Sequence, residues 1–220
     1  MNKKSKIFLI LSVILSLTII IISITNKFKA KENKQYSNKD FNIEPYISTI
    51  DKDNDGIDDQ TDILNNVKKY IETKPKYKSK YYSTGYPNDE YGVCTDVIAF
   101  GLKDAGYDLM ELVNQDILKN QKQYNIKEID KNIDFRRVNN LDIYLKNNHI
   151  TLTTDLSKIE EWQGGDIIVF KDHIGIISDK RNKNGILFLI HHANPIQKNY
   201  EENILEIYGQ DFIIGHYRIS

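Results

Sequence analysis

The 220 residues carry 30 Lys and Arg against 31 Asp and Glu, and a formal charge of -1 leaves no electrostatic footprint for a nucleic-acid backbone. A single cysteine excludes an internal disulfide scaffold. Less an apolar N-terminal run, the chain is long enough for one domain of ordinary size, and it shows no internal repeat.

Met-Asn-Lys-Lys-Ser-Lys precedes IFLILSVILSLTIIIISI, Ile7 to Ile24, an uncharged run within the roughly 17 to 25 residues of a bilayer-spanning helix. It exceeds the core of a signal peptide and no small-x-small site follows, so an uncleaved signal anchor is expected ahead of a cleaved signal and secretion. No cysteine stands behind it for lipid attachment. Lys3, Lys4 and Lys6 favour a cytoplasmic start, although Lys27, Lys29 and Lys31 act against it, and the body of the chain is expected outside the cytoplasm. Residues 1–30 are read as the transmembrane segment, the polar Asn- and Lys-rich residues 31–50 as a stalk, and 51–220 as the domain.

The domain opens on DKDNDGIDDQTD. Asp51, Asp53, Asp55, Asp59 and Asp62 fall at positions 1, 3, 5, 9 and 12 of a calcium loop, with Gly56 at the sharp turn and Ile57 offering its carbonyl at position 7. Aspartate replaces the bidentate glutamate, Asp58 stands where an apolar residue is usual, and no helix is evident before the loop, so it resembles dockerin and thrombospondin type-3 loops more than a paired EF-hand. Structural calcium is expected; an acidic turn capping the next helix is the alternative.

Ile63, Leu64, Val67 and Ile71 then follow helical spacing. A loop from Lys74 to Gly92 contains KPKYKSKYY, read as a solvated surface and not as a polyanion groove. In DEYGVCTDVIAFGLKDAG the apolar stripe Val97, Ile98, Leu102 and Ala105 predicts a helix that begins at Cys94 and ends at Gly106. DLMELVNQDILKN and NLDIYLKNN predict two more. After Trp162 the period changes: GGDIIVF, HIGIISD, GILFLIHHA and GHYRI are short, β-branched and bounded by turn residues, and they read as strands joined closely enough for antiparallel pairing. Helices first and a small antiparallel sheet second is an α+β layout.

A lone cysteine outside the cytosol is a buried hydrophobe, half of an intermolecular bridge or a reactive thiolate. Its place at a helix start favours the thiolate through the helix dipole, although Asp96 in the same turn competes for that dipole. A thiolate nucleophile also needs an imidazole and a group to orient it. His173 opens a strand, and His191 and His192 are adjacent on the next, so only one of them can face it. In NIDFRRV, Asp134, Arg136 and Arg137 stand together, as an arginine clamp for a substrate carboxylate or as an Asp-Arg pair that fixes a loop. Tyr86 and Tyr91 precede the cysteine and could line an oxyanion hole. Tyr91, Asp96 and Arg137 are the candidate substrate contacts.

GVCTDVI followed by GGDIIVF, HIGIIS and LIHHA resembles the compact papain-like cell-wall peptidases of the NlpC and CHAP type. More closely, DGIDDQTDIL, GYPNDEYGVCTDV, NIDFRRVNNL, GDIIVF, HIGIISD, LIHHA and GHYR, in that order from Asp51 to Arg218, resemble the family named domain of unknown function 1287. The resemblance implies a papain-like fold with helices on an antiparallel sheet, Cys94 as nucleophile, His173 as general base and His191 as the orienting residue. It implies an extracytoplasmic, membrane-anchored amidase or peptidase acting on peptidoglycan peptides, without an organic cofactor; the rival is a non-catalytic, calcium-stabilised surface binding module. That family usually has His at the position of Phe135 and Asn at that of His192.

Overall fold

Asp58 accepts the Thr61 N–H and caps helix α1, Asp59–Glu72, whose buried face carries Ile63, Leu64 and Val67. The computed structural model describes residues 35–220, and those from Tyr36 onward form one compact unit. The run 7–24, expected to span a membrane, lies outside the described residues, among which no helix is long and apolar enough to cross one. After α1, β1 (Lys76–Tyr77) and β2 (Tyr91–Gly92) form a short parallel ladder inside what the sequence reads as loop, with Tyr77 opposite Gly92.

Helix α2, Cys94–Asp104, buries Val97, Ile98, Ala99 and Leu102. It stops where Gly106 turns left-handed at φ 85° and the Tyr107 N–H reaches back to the Leu102 carbonyl at 2.9 Å. Helices α1 and α2 touch closely at Gly101, where a Cβ would lie 2.3 Å from Val67 Cγ2. Helix α3 (Leu109–Asn120), one-turn α4 (Lys131–Asp134) and α5 (Val138–Asn148) complete the helical half.

The second half is one antiparallel sheet in the order β3-β8-β4-β5-β6-β7. Its strands are β3 (Ile150–Thr151), β4 (Ile167–Phe170), β5 (His173–Arg181), β6 (Leu187–Ile190), β7 (Glu201–Glu202) and β8 (Ile213–Arg218), with a single helical turn α6 (Leu205–Tyr208) before the last. The period of two sends Ile167 and Val169 to the helices and Ile168 and Phe170 to a second cluster around Trp162, Leu189 and Leu205. Both faces of β4 are therefore buried, which is why IIVF has no polar alternation. This is the α+β arrangement expected from the change of period.

One buried carboxylate ties the halves together. Asp166 accepts Arg218 bidentately at 2.7 and 2.8 Å, His216 Nε2 at 3.0 Å, the Gln60 amide at 3.0 Å and the Gln163 N–H at 2.8 Å. The Gly-Asp and GHYR motifs thus join β4 to β8 and to α1.

Residues 31–50, read as a stalk, are folded against the domain from Tyr36 on. Tyr36 and Arg181 exchange backbone hydrogen bonds at 2.8 and 2.6 Å. The buried Arg181 guanidinium donates to Asn38 Oδ1 and to the carbonyls of Ile159, Trp162 and Gly185. Directional polar bonds hold this segment, and a composition without apolar periodicity does not announce them.

Candidate active site

Cys94 is the first residue of α2, after an extended Val93. The backbone N–H groups of Ile174, Thr95 and Cys94 itself draw the thiol pKa down, which places the sulfur where the helix start meets the residue after His173. Burial, with the Asp96 charge adding to it, pushes the thiol up to about 11 against the pull of these three donors.

His173 heads β5, paired with Phe170 of β4. Its Nε2 lies 2.7 Å from His191 Nδ1, and His191 Nε2 lies 3.0 Å from Glu202 Oε2. Burial, then the neighbouring histidines, bring both imidazoles down to about 4. His191 follows the end of β6 and is anchored by its N–H on the Tyr200 carbonyl. Its neighbour His192, 3 % exposed, stands between the rings of Tyr77 and Tyr200 at 5.1 Å each, and its Nδ1 makes no hydrogen bond among the described residues. Burial and the nearby Cys94 sulfur raise the Tyr77 phenol, which places Tyr77 beside the cysteine. Glu202 and Tyr77 carry no motif that singles them out; pairing of β7 with β6 and of β1 with β2 brings them in. A cavity of about 640 Å³ opens beside His173, walled by Phe170, Tyr208 and Phe212 with Lys171, Asp172 and Asn194 at its polar edge.

Three candidate contacts lie elsewhere. Asp96 is 0 % exposed and does not face a substrate: its oxygens take Arg136 Nε at 2.6 Å, Arg136 Nη2 at 2.9 Å and the Val93 N–H at 2.8 Å. Arg136 and the Val93 N–H occupy three of the roughly four acceptor sites of the carboxylate, so the residue holds the helix start in place. Arg137 projects beside α4, with Nε 3.7 Å from Asp134 Oδ1, near Glu128 and Asp130. Among the described residues no hydrogen bond or ion pair joins it to Cys94, His173 or His191. Tyr86 spends its hydroxyl on Asp108 at 2.9 Å and its ring on Phe100 and Phe135. Tyr91, on β2 three residues before Cys94, lies under Lys78 and Lys80 at 5.1 and 5.0 Å.

In the acidic loop, ligand oxygens of Asp51, Asp53 and Asp55 lie within 4.8 Å of one another. Gly56 at φ 92° closes the turn, and its N–H donates to Asp51 at 3.0 Å. Burial, then Asp55 and Asp53, raise Asp62 to about 6, so a fourth carboxylate feels the same crowding. Hard oxygen donors gathered this way fit calcium. Asp59 does not belong to the set: it is 2 % exposed, takes the Lys52 N–H at 2.8 Å and the Tyr107 hydroxyl, and is turned inward by the first turn of α1. Ile57 leaves its side chain in solvent and donates its N–H to Asp55 at 2.8 Å.

No solved structure matches the chain. An Escherichia coli K12 protein, "Uncharacterized protein YijF", is 33% identical over 153 residues, which cover 66% of this chain and 72% of that protein. The profile of the family described as "Domain of unknown function (DUF1287)" matches residues 64–219, nearly all of α1 through β8, and the chain belongs to that family.

Proposed function

We propose that this chain is a cysteine amidase or peptidase of papain-like fold, akin to the NlpC and CHAP types, that cuts peptide bonds of the cell wall while held to a membrane by residues 7–24. The observation that carries the reading is the meeting of the Cys94 sulfur with the head of β5, where His173 is hydrogen-bonded to His191 at 2.7 Å. Cys94 is the nucleophile, His173 the general base and His191 the orienting residue. A thiol near 11 and an imidazole near 4 are both neutral at rest. The proton therefore passes from sulfur to His173 as the carbonyl approaches, and no standing ion pair precedes it. The new C–S bond forms as the carbonyl becomes an oxyanion, which the helix-start N–H groups stabilise. The amine leaves with the proton from His173, and water hydrolyses the thioester. The cavity beside His173 receives the substrate.

Asp51, Asp53, Asp55 and Asp62 are the residues that would hold a structural calcium ion. The elevated thiol favours a rival reading, a calcium-stabilised binding module that uses the same cleft without turnover. Incubation of the full chain with purified peptidoglycan decides between them: fragments released by the wild type and not by Cys94→Ala, identified by mass spectrometry, support the enzyme. No fragments, together with slow alkylation of Cys94 at neutral pH, leave the binding module.

A further inference from the structure

The hydrogen-bonded chain does not end at His191. We propose that Glu202 is a positioning residue that sets the tautomers of both imidazoles and so leaves His173 Nδ1 as the bare nitrogen that receives the Cys94 proton. The inference rests on the proposed nucleophilic role of Cys94.

The argument follows from counting protons along the chain. Glu202 Oε2 receives the Gln197 amide N–H at 3.3 Å as well as His191 Nε2 at 3.0 Å. As a carboxylate Glu202 has only acceptors to offer, so His191 Nε2 carries the hydrogen. A neutral imidazole has one N–H, so His191 Nδ1 is a lone pair. It lies 2.7 Å from His173 Nε2, which must therefore donate to it. One nitrogen of His173 remains without a hydrogen, and that is Nδ1. The opposite polarity satisfies the histidine–histidine bond equally well but places the hydrogen on Nδ1, where His173 cannot act as a base. Two neutral imidazoles alone do not choose between these states; a carboxylate at the far end does.

Glu202 is held in register for this task. It pairs with Leu189 across β6–β7, and Gln197 bridges the intervening turn through the His191 and Asn199 carbonyls and the Ala193 N–H. The nearby Lys180 is engaged by Glu201, the adjacent residue on the other face of β7, and not by Glu202. When His173 takes the thiol proton, its Nε2–H and the His191–Glu202 bond carry the new positive charge toward the carboxylate.

The test uses full-length chain labelled with ¹⁵N at its five histidines, in which long-range ¹H–¹⁵N spectra separate protonated from bare ring nitrogens. The wild type and Glu202→Gln, whose amide oxygen still accepts, are expected to show a bare His173 Nδ1 and a protonated His191 Nε2. Glu202→Leu should populate both tautomers of His191 and slow alkylation of Cys94 about twofold, because roughly half of the population then lacks the competent tautomer, while Glu202→Gln restores the rate. A wild-type His173 protonated at Nδ1, or unchanged tautomers in Glu202→Leu, overturns the proposal. If Glu202→Leu does not fold, the wild-type spectrum still decides. The spectra need no substrate, so correct tautomers with no peptidoglycan cleavage refute the enzymatic reading alone, and wrong tautomers with cleavage refute this inference alone.

Discussion

Replacing Asp96 with alanine removes one half of a buried ion pair and leaves Arg136, 7 % exposed, with the Lys80 carbonyl at 2.7 Å and the face of the Tyr82 ring at 5.0 Å. Stranding a buried charge costs about 3–5 kcal/mol, and loss of the acceptor for the Val93 N–H adds about 1 kcal/mol. At roughly 2–4 °C per kcal/mol for a unit of this size, 4 kcal/mol lowers the melting midpoint by about 8–16 °C. Thermal unfolding of the full chain, followed by near-ultraviolet circular dichroism, measures it. The double variant Asp96→Leu/Arg136→Met removes both charges and keeps the volume, so most of the loss should return, short of the cap. A single variant within about 1 °C of wild type, or a double variant as unstable as the single, would refute the view that Asp96 serves the fold and not the substrate.

His173 and His191 are held near 4 against an ordinary 6.5. Below pH 6.5 the unfolded chain therefore binds protons that the folded chain refuses. Their contribution is complete above about pH 6.5 and declines as the pH falls toward 4, by up to about 3 kcal/mol per shifted histidine. Urea titrations at pH 7 and 4.5 should show this slope, and His173→Phe/His191→Phe should flatten it; equal slopes would sink the assignment. Calcium at about 100 times its dissociation constant should stabilise the full chain by about 2.7 kcal/mol, and Asp53→Ala should abolish the effect; identical melting with calcium and with chelator would make the loop an acidic turn only. Arg181→Met strands the carbonyls of Ile159, Trp162 and Gly185, at about 1–3 kcal/mol each before water re-solvates them. Limited proteolysis should then cut within residues 36–48, and a segment as resistant as wild type would contradict the clamp.

The helices were legible because their apolar stripes are long: Ile63, Leu64 and Val67 on one, Val97, Ile98 and Leu102 on the next, with Gly106 marking a stop. Cys94 at a helix start and His173 at a strand head follow from those same boundaries. Strands of two residues are too short to show a period, so β1, β2, β3 and β7 were not visible, and Tyr77 and Glu202 enter the site on them. Spacing alone also misjudged two carboxylates. A calcium register assigns Asp59 outward, but the helix that begins at that residue rotates it toward Tyr107. Asp96 sits in the same helical turn as the cysteine and looks available, until a residue 40 positions later claims it.

Strand β8 occupies an interior place in the sheet, with β3 on one side and β4 on the other. Until residues 213–218 are present, β4 has an open edge and Asp166 lacks His216 and Arg218, two of its partners. The sheet can close only once β8 is in place, because the β4–β8 pairing joins segments about 50 residues apart in sequence. The same order makes residues 213–218 a poor place for truncation, since loss of β8 would separate β3 from the rest of the sheet.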